Sequence, residues 1–112
     1  TDQGSGIDSA YGISKACANA YTIYLARENP NLTINACTPG FIETDLTRPM
    51  AEANSKSPAE MGMKSPEEGA SASIFLLMGN PSGNGVYYGS ACTRSPFVCS
   101  VPPGAPPYTG YS

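Results

Sequence analysis

The 112-residue sequence contains no histidine and no tryptophan, and charged residues make up only 13% of it. Its four cysteines, Cys17, Cys37, Cys92 and Cys99, form no Cys-x-x-Cys pair. Because zinc sites are built from closely spaced cysteine and histidine ligands, this pattern argues against a metal centre. We expect free thiols in a reducing compartment, which predicts a cytoplasmic location. A Cys92–Cys99 disulfide is the alternative.

Basic residues are also scarce, and they do not cluster. Six Lys and Arg residues stand against nine Asp and Glu residues, for a net charge of −3. Nucleic acids and anionic membranes require a concentrated basic patch, so we expect neither as a partner. No apolar run is long enough to cross a bilayer. Residues 1–6 are polar and do not form a signal peptide, and the absence of Met at position 1 suggests an N-terminally truncated piece.

A long first helix is predicted from Asp8 or Ser9, either of which can cap it, to about Asn29. No charged residue lies between Lys15 and Arg27, and small or apolar residues occupy most positions of this segment. Such a helix is expected to be buried on several sides. The Lys15 ammonium therefore needs a partner or a ligand, because burying an unpaired charge is costly.

A strand is predicted at Leu32–Cys37, directly after the helix, and a helix followed at once by a strand is typical of a parallel α/β sheet. Residues 41–64 lack clear periodicity. We expect them to form a lid over a functional site, with short helical turns near 49–54 and 58–63.

A second helix is predicted from Ser65, where Pro66 fits the first helical position and Glu68 completes a capping box. It should end at Gly79, and Val86–Tyr88 then reads as a short strand. Residues 1–89 would thus form one domain. Residues 90–112, rich in Pro and Gly, would form an extended tail that is packed or disordered, with a proline-recognition ligand as a further reading.

Tyr11 and Lys15 are the first candidates for chemistry. Their four-residue spacing places them on one face of the helix. An ammonium next to a phenol stabilises the phenolate, so this tyrosine could donate or accept a proton near neutral pH. The competing reading is a packed aromatic residue and a lysine that extends to solvent.

A second motif follows the predicted strand, where Pro39 and Gly40 precede Ile42 and Thr44. Together with Tyr-x-x-x-Lys at positions 11–15, it resembles the C-terminal half of a classical short-chain dehydrogenase/reductase, and residues 64–70 look closest to the carbonyl-reductase-like branch. The resemblance covers about Ala10 to Gly89. It implies an α/β fold consisting of an incomplete C-terminal half of a doubly wound, Rossmann-like parallel sheet.

The resemblance also implies hydride transfer between NADP(H) or NAD(H) and a small carbonyl or alcohol substrate. Tyr11 would be the catalytic acid or base and would also contact the cofactor, and Lys15 would clamp the nicotinamide ribose and support the tyrosine. The remaining cofactor contacts would come from Pro39 and Gly40 beneath the nicotinamide, the Ile42 main chain at the carboxamide, and the Thr44 hydroxyl at the carboxamide or diphosphate. Read without the resemblance, Pro39–Gly40 is an ordinary turn and Thr44 a local cap.

Three features of the resembled family are missing from this sequence: the Gly-rich cofactor loop, the catalytic serine, and the residue that separates NAD from NADP. We expect them upstream, so that the parent protein is active and this piece alone is not. The alternative is a non-catalytic structural or interaction subunit that kept half of the fold. It would dock on a larger assembly through an apolar edge and the proline-rich tail. A homo-oligomer is the other assembly that we consider.

Overall fold

The computed structural model describes residues 5–97 and 104–110, with side chains from residue 9 onward. Helices are interspersed with the strands of a small mixed sheet, which confirms the predicted α/β class. The elements are α1 (Ser5–Glu28), β1 (Ala36–Cys37), α2 (Arg48–Ala53), α3 (Pro66–Met78), β2 (Tyr87–Tyr88) and β3 (Arg94–Ser95).

The three strands form one mixed sheet in the order β1-β2-β3. β1 and β2 are parallel, as predicted, and their register places Ala36 opposite Tyr87 and Cys37 opposite Tyr88. β3 pairs antiparallel with β2, so the expectation of a purely parallel sheet is wrong at this strand. Only residues 89–93 connect β2 to β3, and a parallel connection would need a crossover of about a dozen residues.

Neighbouring residues of β2 point to opposite faces of the sheet, as strand geometry requires. On one face, Tyr87 stacks on Phe97 with ring centroids 5.7 Å apart, and Asn19 of α1 donates a hydrogen bond of 3.3 Å to the Phe97 carbonyl. On the other face, Tyr88 meets Phe75 of α3 edge-on at 5.5 Å. Helices therefore lie on both sides of the sheet, which is compatible with part of a Rossmann-like fold.

The first helix differs from its prediction in two respects. It begins at Ser5, so Asp8 and Ser9 lie within it and do not cap it. It is also largely exposed: Tyr11 and Tyr24 are 66% and 56% accessible, and Ala26 is its one buried residue among those whose side chains are described. The expected burial fails because α1 packs mainly through its C-terminal end, and no described residue covers the rest.

The contact at this end of α1 is close. A Cβ at Gly85, just before β2, would lie 3.0 Å from the Ala26 Cβ, and the Asn84 side-chain amide donates a 3.4 Å hydrogen bond to the Ala26 carbonyl. Asn84 also accepts a 2.7 Å hydrogen bond from the Ile34 amide, which ties the same turn to the approach to β1. The C-terminal end of α1 is therefore fixed at the amino ends of β1 and β2.

The predicted capping box of α3 is confirmed. The Ser65 hydroxyl accepts from the Glu68 amide at 3.2 Å, and the Glu68 carboxylate accepts from the Ser65 amide at 2.8 Å. The helical turns expected near 49–54 and 58–63 also form, as α2 and as a hydrogen-bonded turn. Ser57 and Glu60 make a second reciprocal pair of the same kind, at 3.3 and 2.7 Å.

The predicted boundary between a domain at residues 1–89 and a tail at residues 90–112 stays a prediction. In the segment that the sequence marks as a tail, the structure places β3, and the Tyr108 amide donates a 2.9 Å hydrogen bond to the Arg94 carbonyl. Residues 98–103, which contain part of the proline-rich stretch, and residues 111 and 112 lie outside the described residues. Cys99 lies there too, while Cys17, Cys37 and Cys92 are free thiols.

The capping box predicts a pH-dependent contribution to stability. Hydrogen bonds from the Ser65 amide and hydroxyl hold the pKa of Glu68 below its ordinary value of 4.5, with a smaller effect from the Lys64 charge. A group whose folded pKa is lowered stabilises the fold above its unfolded pKa and loses that effect as pH falls through the folded value. Glu68→Ala should therefore destabilise the protein more at pH 6 than at pH 3, measured by urea denaturation.

Glu67→Ala is the matched control, since Glu67 lies in the same first turn but outside the capping box. Its effect on the unfolding free energy should change less between the two pH values. An equal loss of stability at pH 6 and pH 3 in Glu68→Ala would contradict the role assigned to the carboxylate.

Candidate active site

Tyr11 and Lys15 lie together on α1, as their spacing predicts. The Lys15 Nζ is 5.4 Å from the centroid of the Tyr11 ring, within the range of a cation–π contact. Both side chains are exposed. Among the described residues, neither the Tyr11 hydroxyl nor the Lys15 ammonium has a hydrogen-bond or ion-pair partner. The ammonium is thus solvated, and both polar groups can still bind a ligand.

The Pro39–Gly40 turn begins at the carboxyl end of β1. Gly40 has a φ of +87°, a conformation that residues with side chains rarely adopt. A Cβ on Gly40 would also lie 3.0 Å from the Cβ of Ser90 and 3.1 Å from its hydroxyl. Glycine is therefore required here for two reasons, and the turn packs against Ser90, the second residue after the end of β2.

Ile42 is held by its main chain and by its side chain. Its carbonyl accepts a 2.5 Å hydrogen bond from the Thr47 hydroxyl, whereas its amide N–H has no acceptor among the described residues. Its side chain packs on Gly69 of α3, where an added Cβ would come within 2.7 Å of Ile42 Cδ1. A fixed main-chain donor therefore remains available at the middle of the segment from Pro39 to Thr44, the 39–44 turn.

The Thr44 hydroxyl takes part in a local turn. It lies 3.2 Å from the Thr47 hydroxyl and accepts from the Thr47 amide at 3.3 Å, while the Thr44 carbonyl accepts from the Arg48 amide at 2.8 Å. This arrangement matches the local-cap reading of Thr44. A hydroxyl offers one donor and two acceptor sites, so these contacts leave capacity for a ligand.

Arg48 connects the start of the 43–64 segment to its first helix. Its guanidinium pairs with Asp45 at 2.7 Å and with Glu43 at 3.3 Å. The Asp45 hydrogen bond, followed by that of Glu43, raises the pKa of Arg48 above its ordinary value. Because these groups are largely solvated, the pairs orient the segment more than they stabilise it.

The candidate residues fall into two groups. Ile42 and Thr44 are linked through Thr47, and Gly40 is fixed by Ser90, whereas no hydrogen bond, ion pair or ring contact within the described ranges joins this turn to the Tyr11–Lys15 pair. The described contacts of α1 with the sheet lie near Ala26. Tyr11 lies about 22 Å from that point along the helix axis.

Two cavities lie elsewhere in the described part of the chain. One cavity, of about 430 Å³, is lined by the C-terminal half of α1 and by β2 and β3. The other, of about 630 Å³, is lined by α3 and by residues leading into β1. No predicted site residue lines either of them. Both include residues before the strands begin, whereas ligands of open α/β sheets bind beyond the carboxyl ends of the strands. We therefore place the candidate site at the 39–44 turn.

The sequence did not indicate two of the contacts that shape this turn. Thr47 could have been found, because hydroxyl residues three positions apart commonly form a local turn with the backbone. The contact of Ser90 with Gly40 carried no such signal, since it depends on the pairing of β1 with β2.

Two further observations concern the described residues alone. They contain no group of three or more His, Cys, Asp or Glu side chains that could hold a metal ion. None of their helices combines the length and apolar character that a membrane span requires.

Several curated proteins are similar to the chain. Over 78 residues it is 40% identical to short-chain dehydrogenase/reductase 1 of Saponaria officinalis, with 67% of the chain and 22% of that protein covered. It is 41% identical over 70 residues to (+)-neomenthol dehydrogenase of Arabidopsis thaliana, covering 62% of the chain and 20% of that protein. For carbonyl reductase [NADPH] 1 of Mus musculus the identity is 32% over 84 residues, covering 70% and 26%.

The chain therefore spans about a fifth to a quarter of the length of these relatives. No family model matches the sequence. No solved structure matches it either.

A substitution at Gly40 tests the geometry of the turn. Gly40→Ala should destabilise the protein by about 1 kcal/mol or more, because alanine is strained at positive φ and its Cβ would collide with Ser90. Gly12→Ala is the control, since no atom lies within 4 Å of a Cβ at this exposed helical position. It should stabilise the protein, by up to about 1 kcal/mol.

Thermal or urea unfolding of the two variants at one pH provides the measurement. Opposite signs are expected for the two changes. If Gly40→Ala were as stable as the unmodified protein, the backbone conformation assigned to the turn would be wrong.

Proposed function

Because the chain belongs to the short-chain dehydrogenase/reductase family, we propose that it forms the C-terminal part of an enzyme that transfers hydride between a nicotinamide cofactor and a carbonyl or alcohol carbon. The observation that carries this proposal is the Lys15 ammonium 5.4 Å from the centre of the Tyr11 ring, with the polar ends of both side chains open to a ligand. The relatives support the general class, since each is named as a dehydrogenase or reductase.

Tyr11 is the proton donor in the reductive direction. Hydride arriving at a carbonyl carbon leaves negative charge on the oxygen, and a phenol within hydrogen-bond reach neutralises it by giving up its proton. The Lys15 charge nearby stabilises the phenolate that remains. In the oxidative direction the same phenolate accepts the proton of the alcohol.

The residues present suit the nicotinamide end of the cofactor, which supplies the hydride when it is bound. Lys15 carries donors for the ribose hydroxyls. Ile42 contributes a main-chain N–H that has no acceptor among the described residues and can bond the carboxamide oxygen. The Thr44 hydroxyl adds a contact at the carboxamide or diphosphate, and Pro39 with Gly40 forms the floor beneath the ring.

Both groups of site residues can belong to one site if α1 runs back along the strands. The C-terminal end of α1 meets the amino end of β2 near Ala26. An antiparallel helix would then carry Tyr11 and Lys15 towards the carboxyl ends, where the 39–44 turn lies. In that arrangement the two groups would form a single catalytic centre.

The proposed contacts reach only the nicotinamide end of the cofactor, and they do not distinguish NADP from NAD. Some relatives carry NADPH in their names, and carbonyl reductase [NADPH] 1 is one of them. We propose NADP or NAD as the cofactor. A small carbonyl or alcohol is the proposed substrate, held beneath the 43–64 segment.

Removal of the Tyr11 hydroxyl tests this mechanism. In the intact polypeptide that carries this chain, Tyr11→Phe should lower kcat for carbonyl reduction by about 10²–10⁴-fold, the usual range for a lost general acid. Cofactor affinity should change little, because the ring and the Lys15 ammonium remain. Steady-state rates and cofactor titration provide the two measurements.

Tyr24→Phe is the matched control, since Tyr24 is exposed on the same helix and outside the proposed site. It should retain full turnover. Full turnover in Tyr11→Phe would refute the proposed proton donor.

A non-catalytic docking subunit is the second candidate, favoured by the exposed apolar side chains of α1, which include Tyr11, Ile13, Tyr21 and Tyr24. In that case the intact polypeptide would neither bind NADPH or NADH nor reduce carbonyls. Measured turnover that depends on Tyr11 excludes this candidate.

A further inference from the structure

We infer that Lys64 and Ser90 are a pair of positioning residues that fix the 39–44 turn against the end of β2. Only the effect of this pair on cofactor binding rests on the proposed function. The fixation of the backbone can be tested without any cofactor.

The Lys64 main chain holds the turn on both sides of Ile42. Its amide N–H donates to the Phe41 carbonyl and its carbonyl accepts from the Glu43 amide, each at 2.9 Å. This is the pattern of a parallel bridge between Ile42 and Lys64. The position of the Ile42 backbone is therefore set by the position of Lys64.

The Lys64 side chain connects the same residue to the end of β2. Its ammonium donates a 3.2 Å hydrogen bond to the Ser90 hydroxyl, and this contact is partly buried. Lys64 takes part in no ion pair within the described residues. A hydrogen bond from a charged donor is stronger than one between neutral groups, so it can orient both partners.

Ser90 in turn contacts Gly40, at the start of the 39–44 turn. The Cβ of Ser90 lies 3.0 Å from the place where a Cβ on Gly40 would stand, so the two backbones can approach only because Gly40 has no side chain. Lys64 thus holds the turn by main-chain hydrogen bonds around Ile42. Its side chain binds Ser90, which contacts Gly40 at the start of the turn. In a cofactor site, a misplacement of about 1 Å can cost about a hundredfold in rate.

Four variants of the intact polypeptide test the consequence for the cofactor. Lys64→Met and Ser90→Ala should each raise the dissociation constants of NADPH and NADH by about tenfold, the usual effect of losing a charge-assisted hydrogen bond. The double variant should bind the cofactors no more weakly than the weaker-binding single variant, because both changes remove the same Lys64–Ser90 contact. Lys64→Arg keeps a charged donor and should restore most of the affinity.

Arg27→Met is the control for the lost positive charge. Arg27 lies in the last turn of α1, away from the 39–44 turn, and its loss should leave cofactor affinity and turnover unchanged. Additive effects of the two single variants, or an Arg27→Met loss as large as that of Lys64→Met, would overturn the inference.

Amide hydrogen exchange gives a second readout that needs no cofactor. Lys64→Met and Ser90→Ala should speed exchange of the Glu43 amide, which donates to the Lys64 carbonyl, while Arg27→Met should not. Unchanged exchange at Glu43 in both variants would refute the positioning role whatever the activity. If the two variants exchange faster at Glu43 but the unmodified protein does not bind cofactor, the positioning role is supported. The same result counts against the proposed function.

Discussion

The parallel pairing of β1 with β2 is the constraint on which the candidate site depends. It sets the carboxyl ends of the two strands side by side, so that Gly40 beyond β1 meets Ser90 beyond β2. Gly40 must have a φ of +87° and no Cβ for the two backbones to come this close. The 39–44 turn leaves the sheet from this point, and its exposed backbone groups are those that a nicotinamide would meet under the proposed function.

The Tyr11–Lys15 pair stands under a different constraint. It is carried by a helix whose C-terminal end is fixed near Ala26, while Tyr11 itself is 66% accessible. Electrostatic stabilisation of a developing charge is strongest where water is excluded. Under the proposed function, the exclusion of water around the phenol depends on groups outside the described residues, together with bound substrate and cofactor.

Local patterns predicted the local structure well. The capping box at Ser65 and Glu68 marks the start of α3, because both of its hydrogen bonds are made within one turn of the chain. Patterns that depend on partners were less informative. The composition of α1 suggested burial, but burial requires a surface to pack against. The antiparallel β3 was missed because the Pro/Gly-rich composition of residues 90–112 concealed its pairing with β2.

The sequence by itself determined that Tyr11 and Lys15 share a helix face, that Pro39 and Gly40 turn the chain after a strand, and which family the chain resembles. Each of these follows from spacing over a few residues or from a motif. Only the tertiary structure decided that Ser90 braces Gly40 and that Lys64 joins both to the Ile42 backbone. Those contacts link residues far apart in the chain, and they arise from the pairing of strands, which no local spacing encodes.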